Sequence, residues 1–238
     1  MLRYMFRMKN KGRCKNWASA FLNLIFPPKC PICTKVQGRA GICAVCEKKL
    51  LWTEEKETLY HGSNGLRCAA PLWYEDEVRE AILRLKFQGK AWVAEDLGEL
   101  LAHCAAEQFG GEFDRVTWVP ISRKRLRKRG YDQSRLLAQA ACRRWDTKPV
   151  ALLKKVVDNP PQSTLRDAAA RRAHVLGVYE TVRPETIENR RILLVDDVCT
   201  TGATLTECIR VLKDAGAADV MCLTVALARH NNKEKGRE

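Results

Sequence analysis

The stretch RILLVDDVCTTGATL, residues 191–205, drives an apolar run into two adjacent carboxylates and then into a Thr-Thr-Gly turn. Ile192 to Val195 are aliphatic throughout, which suits a central parallel strand covered on both faces. That strand is expected to end at Asp196 and Asp197. Directly afterwards Thr200, Thr201, Gly202, Ala203 and Thr204 can wrap backbone N–H groups around an anion, with Gly202 permitting the tight curvature. A helix starting near Ala203 then aims its positive end at the same point. A ligand with a vicinal diol and a phosphate one sugar apart would meet both halves. Carboxylates accept from ribose hydroxyls, and the turn holds the 5′-phosphate. An N-capped helix after a strand explains one threonine, but neither the paired acids nor the whole turn.

Outward from this stretch the elements alternate. The helix GATLTECIRVLKDAGA and a last strand DVMCLTVALA follow it, so strand, helix and strand imply a parallel crossover. Upstream, RCAAPLWYED reads as a strand and EVREAILRLKFQGK as a helix stopped near Gly89. AWVAEDLGELLAHCAAEQF reads as a helix closed by Gly110-Gly111, DRVTWVP as a short buried strand, and YDQSRLLAQAACRRW as a helix. The expected fold is α/β, a parallel sheet flanked by helices over residues 66–230. A charged stretch with Gly, Ser and Asn, KKLLWTEEKETLYHGSNGL, precedes it as a linker. The tail 231–238 is expected to be disordered, and the region 1–27 to hold a short amphipathic helix built on Trp17, Phe21, Leu24 and Ile25.

VPISRKRLRKRGYDQSR, residues 119–135, carries Arg123, Lys124, Arg125, Arg127, Lys128, Arg129 and Arg135 against a single acid, Asp132. It reads as a loop leaving the carboxyl end of a strand, where parallel sheets bind ligands. Like charges crowded in this way are relieved by phosphates. A diphosphate would use two or three of Arg123, Arg125, Arg127, Lys128 and Arg129, whereas single-stranded nucleic acid could engage most of them. Tyr131 beside the run can stack on a base or pack against the following helix. A merely solvated basic loop is the plain alternative.

Cys30, Cys33, Cys43 and Cys46 form two Cys-x2-Cys pairs within a module at residues 28–52. Two such knuckles complete a closed tetrahedral zinc site, whose metal would be structural and not catalytic. A redox dithiol or an iron–sulfur centre shares the same spacing less well. The other seven of the 11 cysteines, at 14, 68, 104, 142, 199, 208 and 222, have no common spacing and read as reduced core thiols.

Composition sets the outer bounds. With 46% apolar residues, the 238-residue chain can bury a full core, and 42 basic against 28 acidic residues leave a formal charge of +14, which favours polyanionic partners. No stretch has the length and apolarity of a membrane span. The basic N-terminal sequence lacks the apolar run and cleavage site of a signal peptide, so a cytosolic location is expected.

The thirteen positions ILLVDDVCTTGAT closely resemble the phosphoribosyl pyrophosphate motif of type I phosphoribosyltransferases. Together with the cysteine knuckles after FLNLIFPPKC, the segments LRLKFQGK, VPISRKRLRKRGYDQ and PPQSTLRDAAARRAHVLGVY make the chain similar to the ComF family of competence-associated proteins, over about residues 14–229. The resemblance implies a zinc segment joined to a phosphoribosyltransferase-like domain, with Mg2+ and phosphoribosyl pyrophosphate held at Asp196, Asp197 and the turn 200–204. It also implies a part in natural transformation, moving single-stranded DNA at the inner face of the membrane with a helicase-like partner. If the domain is an enzyme, Asp196 and Asp197 are its catalytic residues. No base-recognising hood or acceptor pocket is identifiable in the sequence.

Overall fold

The computed structural model describes residues 27–54, 58–62, 65–158 and 177–229. The N-terminal helix reading, the tail and the PPQSTLRDAAARRAH segment fall outside these residues. Helix α1 (Ala44–Lys49) belongs to the cysteine module. There follow β1 (Leu59–His61), β2 (Arg67–Ala69), β3 (Leu72–Trp73), α2 (Asp76–Phe87), α3 (Val93–Phe109), β4 (Arg115–Trp118), α4 (Arg123–Arg129) and α5 (Gln133–Cys142). After them come β5 (Leu153–Lys155), β6 (Tyr179–Thr181), β7 (Arg191–Cys199), α6 (Ala203–Asp214) and β8 (Asp219–Leu227).

The main sheet runs β1-β2-β8-β7-β4, with β3 also on β8. Every pairing is parallel except β1 on β2. The α/β fold with a parallel sheet is therefore as read. A separate antiparallel pair joins β5 to β6.

Strand β7 is central because its aliphatic residues serve both faces. Leu193 and Val195 pack with α2, α3 and α5, whereas Ile192 and Leu194 pack with α6 and residues around β5 and β6. All four are fully buried. At roughly 25 cal/mol per Å2 of apolar surface, each such side chain contributes about 2 kcal/mol. Gly98 lets α3 close on α5: a Cβ there would collide with Ala140 and lie 2.8 Å from the Leu137 carbonyl oxygen. Cys68, Cys104, Cys142, Cys199, Cys208 and Cys222 are free and buried, as core thiols should be.

Three local readings change. First, β7 does not stop at the acids but continues to Cys199, because β8 stays in register beside it as far as Cys199↔Leu227. Its other neighbour, β4, ends at Trp118↔Val195, so the acids lie just beyond that neighbour's last paired residue. Secondly, the arginine-rich segment is a helix, α4, and not a loop. Ser122 Oγ caps it by accepting from Arg125 N at 3.2 Å, and Gly130 ends it in the left-handed region. Thirdly, the stretch read as a linker supplies β1 and a buried hydroxyl pair, Thr53 and Thr58, 3.0 Å apart.

Candidate ligand site at the end of the central strand

The site begins with the two aspartates of β7. Asp197 is 3% exposed, and both of its carboxylate oxygens are engaged. Oδ1 meets Lys86 Nζ at 2.8 Å, and Oδ2 accepts from Gln133 Nε2 at 3.0 Å. Asp196 Oδ1 accepts from Ser134 Oγ at 2.8 Å and from the Asp197 backbone N–H at 2.9 Å. Among the described residues no hydrogen bond uses Asp196 Oδ2, which leaves that oxygen for a diol or a metal ion. Burial, then the neighbouring Asp197 charge, push the Asp196 carboxyl up to about 7, with Lys86 and Ser134 opposing. Burial pulls the Lys86 ammonium down, but the Asp197 carboxylate outweighs it and holds the group above its ordinary value.

Helix α5 presents Gln133 and Ser134 from its first turn. Asp132 fixes that turn, since its Oδ1 accepts from Ser134 N and Arg135 N at 3.1 and 3.2 Å and its Oδ2 from Ile121 N at 3.1 Å. One carboxylate therefore ties the exit of β4 to the start of α5 across the basic helix. Arg129, the last residue of α4, donates to Gln133 Oε1. A continuous chain of polar contacts thus runs from Arg129 through Gln133 and Asp197 to Lys86.

The turn 200–204 follows at once. Gly202 has φ of 73°, and a Cβ there would lie 2.5 Å from Leu66 Cδ2, so glycine is favoured on both counts. Thr201 Oγ1 accepts from Ala203 N at 3.5 Å, Thr200, Thr201 and Thr204 are half-buried, and α6 starts at Ala203. The acids and an N-terminal helix end are therefore adjacent, as the sequence implies.

The basic residues divide. Arg123, Lys124, Arg127 and Lys128 are exposed, while Arg125 and Arg129 are half-buried. Arg125 Nε and Lys124 Nζ each stand 4.0 Å from Asp158, which also accepts from Ser122 Oγ. Those contacts hold the Asp158 carboxyl below its ordinary range, the Ser122 hydroxyl most strongly. Tyr131 is half-buried and donates its hydroxyl to the Leu85 carbonyl at 2.6 Å.

Sequence reasoning assigned no role to Lys86, Gln133, Ser134, Asp158 or Lys155. Lys155 stands with its Nζ 5.4 Å from the Tyr179 ring, in the field of both Asp158 and Asp196. For Lys86 the available signal was its place on the apolar face of the helix, four residues after the buried Ile82.

The cysteine module forms a second cluster. The four Sγ atoms of Cys30, Cys33, Cys43 and Cys46 all lie within 4.8 Å of one another, and Cys33 and Cys43 are 3.9 Å apart. A tetrahedron with Zn–S bonds of about 2.3 Å has edges near 3.8 Å, so the set fits a structural zinc ion. Burial pushes the Cys30 and Cys46 thiols up, whereas the Cys46 backbone N–H helps lower Cys43 to about 7. Ile32, Cys30, Cys46 and Leu50 are part of the same core as α2 and α3, and Arg84 Nη1 donates to the Ile32 carbonyl at 2.5 Å.

An acid pair at the end of a parallel strand, a Thr-Thr-Gly turn and a helix N-terminus define a phosphoribosyltransferase-like domain, here bearing a four-cysteine metal module. Family models agree: the phosphoribosyl transferase domain matches residues 132–237, and the double zinc ribbon domain matches residues 21–58. In sequence the chain is similar to members of the ComF family. It is 26% identical over 198 residues to competence protein ComFC of Bacillus subtilis, covering 82% of this chain and 76% of that protein. It is 26% identical over 212 residues to competence protein F of Haemophilus influenzae, covering 80% and 92%. With the DNA utilization protein YhgH of Escherichia coli O6:H1 it shares 29% over 225 residues, covering 83% and 96%.

Proposed function

We propose that this protein handles DNA during uptake in natural transformation, binding single-stranded DNA along α4 and a ribose phosphate at Asp196, Asp197 and the turn 200–204. The observation that carries the reading is the chain from Arg129 through Gln133 to Asp197, which joins the basic helix to the acid pair. Four exposed cations around α4 offer a track for a phosphodiester backbone, and the relatives' names, competence protein and DNA utilization protein, point the same way. A helicase-like translocase at the inner face of the membrane is the partner this role calls for. No helix among the described residues is long and apolar enough to cross a membrane.

Calorimetric titration of phosphoribosyl pyrophosphate with Mg2+, with and without an oligonucleotide, tests both sites and their coupling. Single-stranded DNA should bind with strong salt dependence, and neutralising Arg123, Arg127 and Lys128 should flatten the slope by about one unit for each phosphate that is no longer neutralised. Binding insensitive to salt would reject the DNA reading. Ligand binding that survives Asp196→Asn with Asp197→Asn would reject the ribose phosphate reading.

A second reading is Mg2+-dependent transfer of a phosphoribosyl group to an acceptor. Asp196 Oδ2, which no hydrogen bond among the described residues uses, favours it, because that oxygen can ligate a cation while arginines offset charge on departing pyrophosphate. Pyrophosphate release that requires both Mg2+ and a second substrate would establish it.

A further inference from the structure

Phe87 closes α2 with 67% of its surface exposed, although it follows directly on Lys86, the partner of Asp197. The Arg129 guanidinium carbon stands 5.1 Å from the centre of its ring. Arg129 is thus shared between an open aromatic ring and, through Gln133, the acid pair. Lys90, three residues beyond Phe87, is exposed as well. Tyr131, by contrast, is fastened by its hydroxyl to the Leu85 carbonyl, whereas Phe87 keeps most of its surface open.

An unpaired nucleobase has a π-face that stacks on any aromatic ring, and a guanidinium on the ring adds cation–π attraction while its charge neutralises a nearby phosphate. We infer that Phe87, backed by Arg129, is a stacking platform for an unpaired base of single-stranded DNA whose backbone is held by α4. The inference rests on the DNA-handling reading and deepens it. It assigns part of the affinity to a base contact that carries no charge.

Fluorescence anisotropy with two oligonucleotides of equal length and charge separates the contributions, one of thymidines and one of abasic deoxyribose spacers. Wild-type protein should prefer the thymidine strand by about tenfold, in line with stacking worth roughly 1–3 kcal/mol per base. Phe87→Ala should remove the preference while leaving both the affinity for the abasic strand and the salt slope unchanged, and Phe87→Trp should restore the preference. Because Phe87 is exposed, unchanged melting of Phe87→Ala verifies that the fold is intact.

Retention of the thymidine preference by Phe87→Ala overturns the platform and leaves the DNA reading standing. Failure of wild-type protein to bind either strand overturns both. Binding to phosphatidylglycerol vesicles that Phe87→Ala abolishes, with no preference between strands, assigns the ring to a lipid surface and also overturns the platform.

Discussion

Lys86 on α2 and Asp197 on β7 meet at 2.8 Å, with the aspartate 5% and the lysine 22% exposed at the side chain. Each charge needs the other in this setting, because an ammonium and a carboxylate lose most of their hydration on burial. Through this contact the protein supplies one positive charge to the acid pair before any ligand arrives.

Lys86→Met should therefore act on both stability and the site. Removing one partner of a buried ion pair typically costs about 3–5 kcal/mol, and urea denaturation should show a loss of that order. The Asp196 carboxyl, released from the opposing ammonium, should rise above about 7. Phosphoribosyl pyrophosphate affinity at neutral pH should fall with it, as read by calorimetry.

The pH dependence has a definite sign. The Asp196 carboxyl is raised from an ordinary 3.8 to about 7 in the folded chain, so its contribution to stability is greatest below 3.8 and is lost as pH rises through 7. Ligand binding runs the other way, since a diol or cation engages the carboxylate. Affinity should strengthen between about pH 6 and 8, and Asp196→Asn should remove this component and leave only the phosphate's own titration.

Gly202→Ala should cost about 1–3 kcal/mol, combining left-handed strain with the 2.5 Å approach to Leu66 Cδ2. A second change, Leu66→Ala, relieves the overlap but not the backbone strain. Thermal melts should show Gly202→Ala less damaging in the Leu66→Ala background than in the wild type, with a residual penalty of about 1 kcal/mol.

Metal removal should reach well beyond the cysteines. Cys30, Ile32, Cys46 and Leu50 share a core with α2 and α3, so chelation should lower the melting temperature of the whole domain as well as loosening residues 27–50. Hydrogen exchange in α2 after chelation, with metal content measured in parallel, reads this directly. Unchanged exchange there would separate the module from the domain.

Spacing and apolar runs made much of the architecture legible. Two Cys-x2-Cys pairs announce a metal cluster, and the run 192–195 announces a doubly covered strand, because each is a local pattern with few physical solutions. α4 was not legible as a helix: it holds six cations and only Leu126, so it has no apolar face to show a period. Its signals were the end residues, Ser122 and Gly130. β1 is only three residues long, with Leu59 and Tyr60 half-buried and His61 exposed, and turn-forming neighbours mask it. The acid pair could be found from its own motif, but its partners could not. Lys86, Gln133 and Ser134 come from helices far off in sequence, and only packing brings them there.

The approach of Leu66 to Gly202 links residues near opposite ends of the domain, with Leu66 entering just ahead of β2. Contacts of such separation are slow to form, because loop-closure entropy must be overcome first. The Thr-Thr-Gly turn should therefore take its final shape only once β2 has docked on β8. During refolding, ribose phosphate binding should be among the last properties to return, after secondary structure. The ligand would then stabilise only completed molecules, marking finished chains apart from partly assembled ones.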